Sequence, residues 1–182
     1  MSFMLRQHNL VGGGAQTNAN GLSFERDHDL KTALINVGYK VDDSGNVFNL
    51  TESKIAIARL APKYAFYHYL KENKIDWSTI TSKLYLPDEA LFNFTNKTLY
   101  IIEKKYQGGA GSVDEKLQTF PFKKERYEDL VSSLDYKVKF YFQGSTYFQA
   151  HYAKYLDVWK YYKRNDIQKY IAQNIPLKDF EL

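Results

Sequence analysis

The sequence predicts one domain of mixed α/β class, in which helices flank a central mixed sheet. Apolar residues recur at helical spacing in some segments and form short β-branched and aromatic runs in others, and the two kinds of segment alternate. The chain has 182 residues, of which 44% are hydrophobic and 25% charged, and this suits a single core. No internal repeat or long linker divides the sequence, so residues 1–182 are expected to form one domain.

The first half of the chain is predicted to contain a loop, two helices and a hairpin. Glycines and small amides give residues 11–21 neither a helical nor a strand period, which indicates a loop. Helices are expected at residues 22–37 and 53–73, and Pro62 could kink or split the second of them. Between these helices, residues 39–50 have the pattern of a β-hairpin.

The second half is predicted to contain most of the sheet. In order, the expected elements are strands at residues 83–86, 90–94 and 98–107, a helix beginning at residues 114–117, a helix at 125–134, a strand at 137–143 and a helix at 148–173. The order helix, three strands, helix, strand (αβββαβ) makes residues 20–143 the expected core. Residues 144–182 are expected to form a C-terminal helical extension.

The strand at residues 98–107 carries the clearest chemical pattern in the chain. Its first half is apolar and aromatic, and the charged residues Glu103, Lys104 and Lys105 follow. Because side chains alternate along a strand, Glu103 and Lys105 should share one face while Lys104 occupies the other. Asp88 directly precedes the neighbouring strand, so pairing of the two strands should bring its carboxylate close to Glu103.

Two carboxylates beside a lysine suit the metal-dependent hydrolysis of a phosphodiester. Mg²⁺ is held by one or two carboxylates and completes its shell with water and phosphate oxygens, which makes Asp88 and Glu103 the expected ligands. Lys105 could orient the water and stabilise the transition state, and a role as general base would require a depressed pKa. Glu89, the next residue in the chain, is the alternative to Asp88 as a metal ligand. Glu25 is a candidate third carboxylate, or simply an acid in the first turn of a helix.

This arrangement resembles the core of the PD-(D/E)xK nuclease superfamily. Pro87-Asp88 and Glu103-Lys104-Lys105 carry the resemblance, together with the helix start near Glu25 and the run at residues 111–118. That run is similar to the loop and helix that follow the active-site strand in type II restriction endonucleases. The resemblance covers residues 20–143. It implies a restriction-endonuclease-like core and a Mg²⁺-dependent, sequence-specific endonuclease. A homodimer of this kind would cut double-stranded DNA and leave 5′-phosphate ends.

Polar residues in two loops are the expected DNA contacts. Glutamine and asparagine side chains can pair with adenine edges or phosphates, and lysine can pair with phosphates. The residues assigned to this role are Gln16, Asn18 and Asn20 in the first loop, and Gln107, Ser112 and Lys116 around the second.

Composition restricts the remaining possibilities. The net charge of +4 is compatible with a polyanionic partner, and the absence of cysteine excludes disulfides, a thiol nucleophile and cysteine-ligated zinc. No run is apolar enough for a transmembrane helix or a signal peptide, so we expect a cytoplasmic protein, bacterial by its resemblance. Two alternatives stay open. One is a repair, recombination or phage nuclease of the same core without sequence specificity. The other is a non-catalytic DNA-binding or interaction module.

Overall fold

A seven-stranded mixed sheet with helices packed on both faces forms the centre of the molecule. The computed structural model describes residues 13–49, 54–108 and 113–182, with side chains from residue 19 onward. The helices are α1 (Gly13–Asp27), α2 (Leu30–Asn36), α3 (Tyr64–Glu72), α4 (Val113–Leu117), α5 (Phe120–Val131), α6 (Thr146–Ala150) and α7 (Leu156–Arg164). The strands are β1 (Lys40–Val41), β2 (Asn46–Phe48), β3 (Ala58–Leu60), β4 (Glu89–Asn93), β5 (Thr98–Lys105), β6 (Lys137–Gly144) and β7 (Ile167–Ile171).

The strands lie in the sheet in the same order as in the chain, from β1 to β7. Strands β1 to β5 pair antiparallel, whereas β5, β6 and β7 pair parallel. A parallel pair needs a crossover connection, and α4 and α5 provide it between β5 and β6. The class is therefore mixed α/β, as the sequence predicts.

Strand β5 is the central strand of both cores. All of its residues except Lys105 are buried, because its alternating side chains enter two different apolar clusters. Leu99 and Ile101 belong to the cluster under α3, α5 and α7, whereas Tyr100 and Ile102 belong to the cluster under α2 and the C-terminal segment. Burial on both faces explains why this strand has a continuous apolar run.

Most of the predicted elements in the centre of the sheet are confirmed. The hairpin appears as β1 and β2, and the strands predicted at residues 90–94, 98–107 and 137–143 appear as β4, β5 and β6. The predicted helix at residues 125–134 is present, but it begins five residues earlier, at Phe120, with proline in its first turn.

The N-terminal prediction is wrong in two places. Residues 13–21, expected as a loop, belong to α1, so helix formation here overrides the weak local propensity of glycine and small amides. The helix expected at residues 22–37 is interrupted between α1 and α2. Asp29 causes this break, because its side chain accepts a hydrogen bond from the Thr32 N–H and caps the new helix.

The helix predicted at residues 53–73 is also wrong in its first half. Strand β3 occupies part of this segment, and α3 begins only after Pro62. Ala58 and Leu60 are buried while Arg59 between them is partly exposed, so the local period is two. Hydrogen bonds from β2 and β4 on either side stabilise this strand. Residues 83–86, predicted as a strand, have no partner strand within the described ranges.

The C-terminal region is not the helical extension that the sequence predicts. The predicted helix at residues 148–173 ends at Arg164, and the following residues form β7 at the edge of the sheet. Asp166 adopts a left-handed conformation, with a φ of 52°, which ends the helical path and turns the chain back toward β6. Tyr155, Trp159 and Tyr162 of the helical part are buried against the sheet.

Candidate active site

Two acidic side chains meet where β4 and β5 lie side by side. Glu89 is opposite Ile102 in this antiparallel pair, so the preceding residue, Asp88, lies beside Glu103. The backbone N–H of Lys104 donates a hydrogen bond of 2.8 Å to Asp88 Oδ2, which fixes the carboxylate against the strand. The side chains of Asp88 and Glu103 are only 11% and 2% exposed. The predicted proximity of Asp88 and Glu103 is therefore present in the structure.

Lys105 joins the two carboxylates. Its ammonium nitrogen lies 3.0 Å from Asp88 Oδ2 and 3.1 Å from Glu103 Oε2, and it also donates to the Lys104 carbonyl oxygen at 2.8 Å. Glu103 and Lys105 share a face of the strand because they are two residues apart, as predicted. Three oxygen atoms of different origin thus surround one cationic nitrogen.

Two further lysines, which the sequence analysis missed, complete the site. Lys123 of α5 donates to Glu103 Oε1 at 2.8 Å, on the side opposite Lys105. Lys63, which directly precedes α3, donates to Asp88 Oδ1 at 2.5 Å and to Glu25 Oε2 at 3.4 Å. The candidate site therefore contains three carboxylates and three ammonium groups in one connected network.

The network shifts the pKa values of its members. Burial opposes ionisation of Asp88, but the ammonium groups of Lys105 and Lys63 outweigh burial and lower the pKa of Asp88 to about 2. Burial also opposes the charged form of Lys105, but Glu103 and Asp88 outweigh it and raise the pKa of Lys105 above its ordinary value. Lys105 is therefore an ammonium ion in this structure, and its environment does not favour a role as general base.

Glu89 lies on the opposite face of the sheet and is not part of this site. Its Oε1 atom accepts hydrogen bonds from the buried ammonium of Lys104 and from the Leu30 N–H at 3.1 Å. Burial raises the pKa of the Glu89 carboxyl, and the charge of Lys104 opposes this effect. Of these two neighbouring acids, only Asp88 therefore lies on the face of Glu103 and Lys105.

Glu25 reaches the site from α1. Its side chain pairs with Lys63, and its backbone carbonyl accepts a hydrogen bond from Lys104 Nζ at 3.2 Å. One residue of α1 is thus tied to both faces at this end of β5. A cavity of about 900 Å³ lies beside this helix, and Glu25, Lys63 and Asp88 line it together with residues from α2 and the β1–β2 turn.

Lys63 has an unusual backbone conformation. Its φ of 51° and ψ of −121° resemble those of the first central position of a type II′ turn, which glycine normally occupies. A hydrogen bond of 2.9 Å from the Ala65 N–H to the Pro62 carbonyl closes the turn. A residue with a side chain in such a conformation carries a strain of about 1–3 kcal/mol. Strain of this kind tends to occur at functional sites.

The oxygen atoms around Lys105 Nζ fit a magnesium ion chemically. Mg²⁺ accepts oxygen ligands and uses one or two carboxylates together with water and substrate oxygens. Asp88 Oδ2, Glu103 Oε2 and the Lys104 carbonyl form such a set, since all three already face one cation. Within the described part of the chain, no three His, Cys, Asp or Glu side chains are grouped closely enough to hold a metal ion by themselves. The candidate set is therefore two carboxylates and a backbone carbonyl.

The structure describes the side chains of three of the six residues that were predicted to contact DNA. Asn20 is half-buried on α1, and Lys116 is exposed on α4. Gln107 is buried at 4% exposure, which leaves little of it accessible to a DNA base, and its backbone N–H and carbonyl both bond to the Ser145 hydroxyl at 3.2 and 3.0 Å. Gln16 and Asn18 belong to α1 and not to a loop, but their side chains are outside the described part of the structure. Ser112 lies entirely outside the described residues.

Only Lys123 left a signal in the sequence that could have been used. It falls on the buried stripe of α5, three residues after Phe120 and four before Tyr127, where a lysine is unusual. Because the helix was predicted to begin at residue 125, Lys123 lay outside it in the prediction. Lys63 gave no such signal, because its segment was expected to be helical and its position depends on contacts with Asp88 and Glu25.

Comparisons of the chain with protein-family models, with curated proteins and with solved structures found no match. Interpretation of the site therefore depends on its own geometry and chemistry. None of the helices in the described ranges has the length and apolar character needed to cross a bilayer.

Proposed function

We propose that this protein is a Mg²⁺-dependent endonuclease that cleaves double-stranded DNA at specific sequences, as a type II restriction enzyme does. The observation that carries the proposal is the convergence of Asp88, Glu103 and Lys105 at adjacent strand ends. These are the residue types, in the order Asp…Glu-x-Lys, that the resemblance to PD-(D/E)xK nucleases requires. The order of strands around them, with a helical crossover after the Glu-x-Lys strand, supports the same assignment.

The contacts of each side chain support a distinct role. Asp88, Glu103 and the Lys104 carbonyl would hold the metal ion. When bound, Mg²⁺ supplies positive charge to the scissile phosphate and lowers the pKa of a water molecule. Lys105, an ammonium ion with a raised pKa, would stabilise negative charge that develops on the phosphate. Lys123 neutralises part of the charge of Glu103 and holds its carboxylate in place from α5.

The substrate and the assembly follow from charge and from the resemblance. A net charge of +4 favours association with a polyanion such as duplex DNA. We propose a homodimer in the bacterial cytoplasm, in which each subunit cleaves one strand and leaves a 5′-phosphate. Sedimentation velocity with and without DNA would test the dimer, and a monomer in both conditions would contradict it.

A cleavage assay tests the function directly. Genomic DNA, which contains many possible recognition sites, is incubated with the protein in Mg²⁺ or in EDTA. We expect discrete fragments in Mg²⁺ and intact DNA in EDTA. A smear would instead favour a nuclease without sequence specificity, such as a repair, recombination or phage enzyme. The Glu25→Gln variant belongs in the same assay, because full activity in this variant would exclude Glu25 from catalysis.

A non-catalytic DNA-binding module is the second candidate, and one observation favours it. The three carboxylates and three ammonium groups of the site neutralise one another, as in a purely structural ion-pair network. A module of this kind would bind duplex DNA and leave it intact in Mg²⁺, Mn²⁺ and Co²⁺. Binding without cleavage under all three conditions would therefore replace the nuclease proposal with this one.

A further inference from the structure

Lys63 combines two properties that together call for an explanation. Its backbone is held at a positive φ of 51° in a turn position that suits glycine, yet the residue has a long charged side chain. That side chain reaches two carboxylates of the candidate site and bonds to Asp88 and Glu25. A glycine would adopt this turn without strain. The lysine adds an ammonium group beside Asp88 and Glu25, and the strain is the cost of placing it there.

The exposure of the three site lysines distinguishes their positions. The side chains of Lys105 and Lys123 are 20% and 25% exposed, whereas that of Lys63 is 43% exposed. Lys63 therefore lies at the solvent side of the network, at the wall of the cavity beside Asp88. A ligand that approaches the carboxylates from this cavity meets the Lys63 ammonium.

The contacts of Asp88 show why this ammonium can change its partner. Asp88 Oδ2 faces Lys105, whereas Oδ1 faces Lys63. Any cation held between Asp88 and Glu103 competes with Lys63 for the negative charge of Asp88, because opposite charges attract less once one is neutralised. The four-carbon stem of lysine is flexible, so its ammonium can turn to a nearby anion without movement of the backbone.

We propose that Lys63 is a substrate-binding residue of the site, whose ammonium leaves Asp88 for a backbone phosphate of the DNA when metal and substrate bind. Glu25 holds the ammonium near this position in both states, and so positions it without contacting the substrate. This inference rests on the nuclease function proposed above. It adds a cationic contact that the Asp…Glu-x-Lys pattern does not contain.

The test compares two substitutions of Lys63 with a matched control. Lys63→Gly removes the ammonium and suits the turn, so this variant should fold, whereas Lys63→Arg keeps the positive charge. Lys74→Gly is the control, because Lys74 also has a positive φ, of 62°, and lies exposed beyond the other end of α3. Affinity for a labelled duplex is measured against salt concentration in Ca²⁺ and in EDTA, and cleavage of genomic DNA is measured in Mg²⁺.

One lost phosphate contact lowers the slope of log affinity against log salt by about one. In Ca²⁺, we expect this lower slope for Lys63→Gly and not for Lys63→Arg or Lys74→Gly. In EDTA the slope of Lys63→Gly should change less, because Lys63 stays with Asp88 in the wild type. Cleavage by Lys63→Gly should fall about 10- to 100-fold, a loss smaller than that of a transition-state donor. Lys63→Arg should keep the wild-type slope and most of the activity, because it keeps the positive charge. A merely structural role in the turn would instead leave the slope of Lys63→Gly unchanged.

The outcomes separate this inference from the nuclease proposal. An unchanged slope for Lys63→Gly in an active enzyme would overturn the inference and leave the nuclease function intact. A lowered slope in a protein that binds but never cleaves DNA would support the contact and overturn the nuclease function. A wild-type protein that neither binds nor cleaves duplex DNA would overturn both.

Discussion

At the scale of single residues, the candidate site is a cluster of opposite charges at the adjoining ends of β4 and β5. The side chains of Asp88 and Glu103 are 11% and 2% exposed, and a carboxylate so shielded from water needs hydrogen bonds or a cation beside it. Lys105 supplies that cation for both, and Lys63 and Lys123 each supply a second one. Each carboxylate is therefore in contact with two ammonium groups.

Substitution of the carboxylates that we propose to bind the metal should slow cleavage strongly without unfolding the protein. Asp88→Asn and Glu103→Gln keep the shape of the side chain and remove its charge, so we expect at least about 100-fold slower cleavage in Mg²⁺. Circular dichroism would establish that each variant is folded. The matched control is Asp135→Asn, an exposed residue far along the chain in the turn before β6. Wild-type rates for Glu103→Gln would refute the site assignment.

The pKa of Asp88 predicts how stability depends on pH. This pKa is about 2 in the folded protein and about 3.8 in the unfolded chain, so the ionised form favours folding. The stabilisation, about 2 kcal/mol, is complete above the unfolded value and is lost as the pH falls toward the folded value. The thermal midpoint of Asp88→Asn should therefore fall less steeply than that of the wild type between about pH 4 and pH 2. Parallel curves for the two proteins would contradict this expectation.

Strain at Lys63 makes a separate prediction about stability. Lys63→Gly and Lys63→Ala both remove the ammonium, but only glycine suits a φ of 51° with a ψ of −121°. The glycine variant should therefore have the higher thermal midpoint of the two, by about 2–4 °C for each 1 kcal/mol of relieved strain. Differential scanning calorimetry would measure it. Equal midpoints would show that the turn tolerates a side chain without strain.

At the scale of elements, a buried ion pair fixes the α1–α2 junction to the sheet. Glu89 of β4 pairs with Lys104 of β5 and accepts from the Leu30 N–H, while Lys104 also donates to the Glu25 carbonyl. These contacts lie on the face opposite Lys105. They hold α1 where Glu25 can reach Lys63, so the two faces of β5 cooperate in building one site.

Breaking this buried pair should be far more costly than replacing it. Glu89→Ala leaves the Lys104 ammonium buried without its partner, and we expect a loss of about 3–5 kcal/mol in the free energy of unfolding. The double variant Glu89→Leu with Lys104→Met removes both charges and should recover much of that loss. Urea denaturation of both variants measures the difference. If Glu89→Ala were as stable as the wild type, the pair would not hold this junction.

At the scale of the whole molecule, the C-terminal segment completes the fold. Strand β7 extends the sheet next to β6, and Phe180 is fully buried between the rings of Tyr100 and Tyr141, with centroids 5.3 and 5.8 Å away. Asn93 also donates to the carbonyls of residues 180 and 181 at 3.0 Å. The segment therefore contributes to the second core and is not a separable extension.

Truncation and a single substitution test this integration. A chain that ends at Asn165 loses β7 and Phe180, and it should fail to show a cooperative thermal transition. Phe180→Ala removes one buried ring and should lower the free energy of unfolding by about 3–5 kcal/mol. Phe122→Ala is the control, because that ring is 51% exposed. A truncated chain with a sharp wild-type transition would show that the N-terminal part folds alone.

The sequence by itself determined the centre of this protein. The apolar run of β5, its charged end and the sharing of one face by Glu103 and Lys105 all follow from the two-residue period of a strand. The hairpin, β4 and β6 follow in the same way, because turns and alternation are local properties. Asp88 could be placed beside Glu103 because only a tight turn separates their strands.

Only the tertiary structure decided the rest. Lys63 and Lys123 join the site through contacts with residues 25 and 20 positions away in the chain. The buried stripe of α5 marks Lys123 as unusual, but no local pattern encodes which residue either lysine contacts. Glu89 and Asp88 are neighbours in sequence, yet opposite faces of the sheet separate them into a structural pair and a candidate active site. Strands β3 and β7 exist because neighbouring strands offer them hydrogen bonds, although the pattern of the surrounding residues predicts a helix at each place.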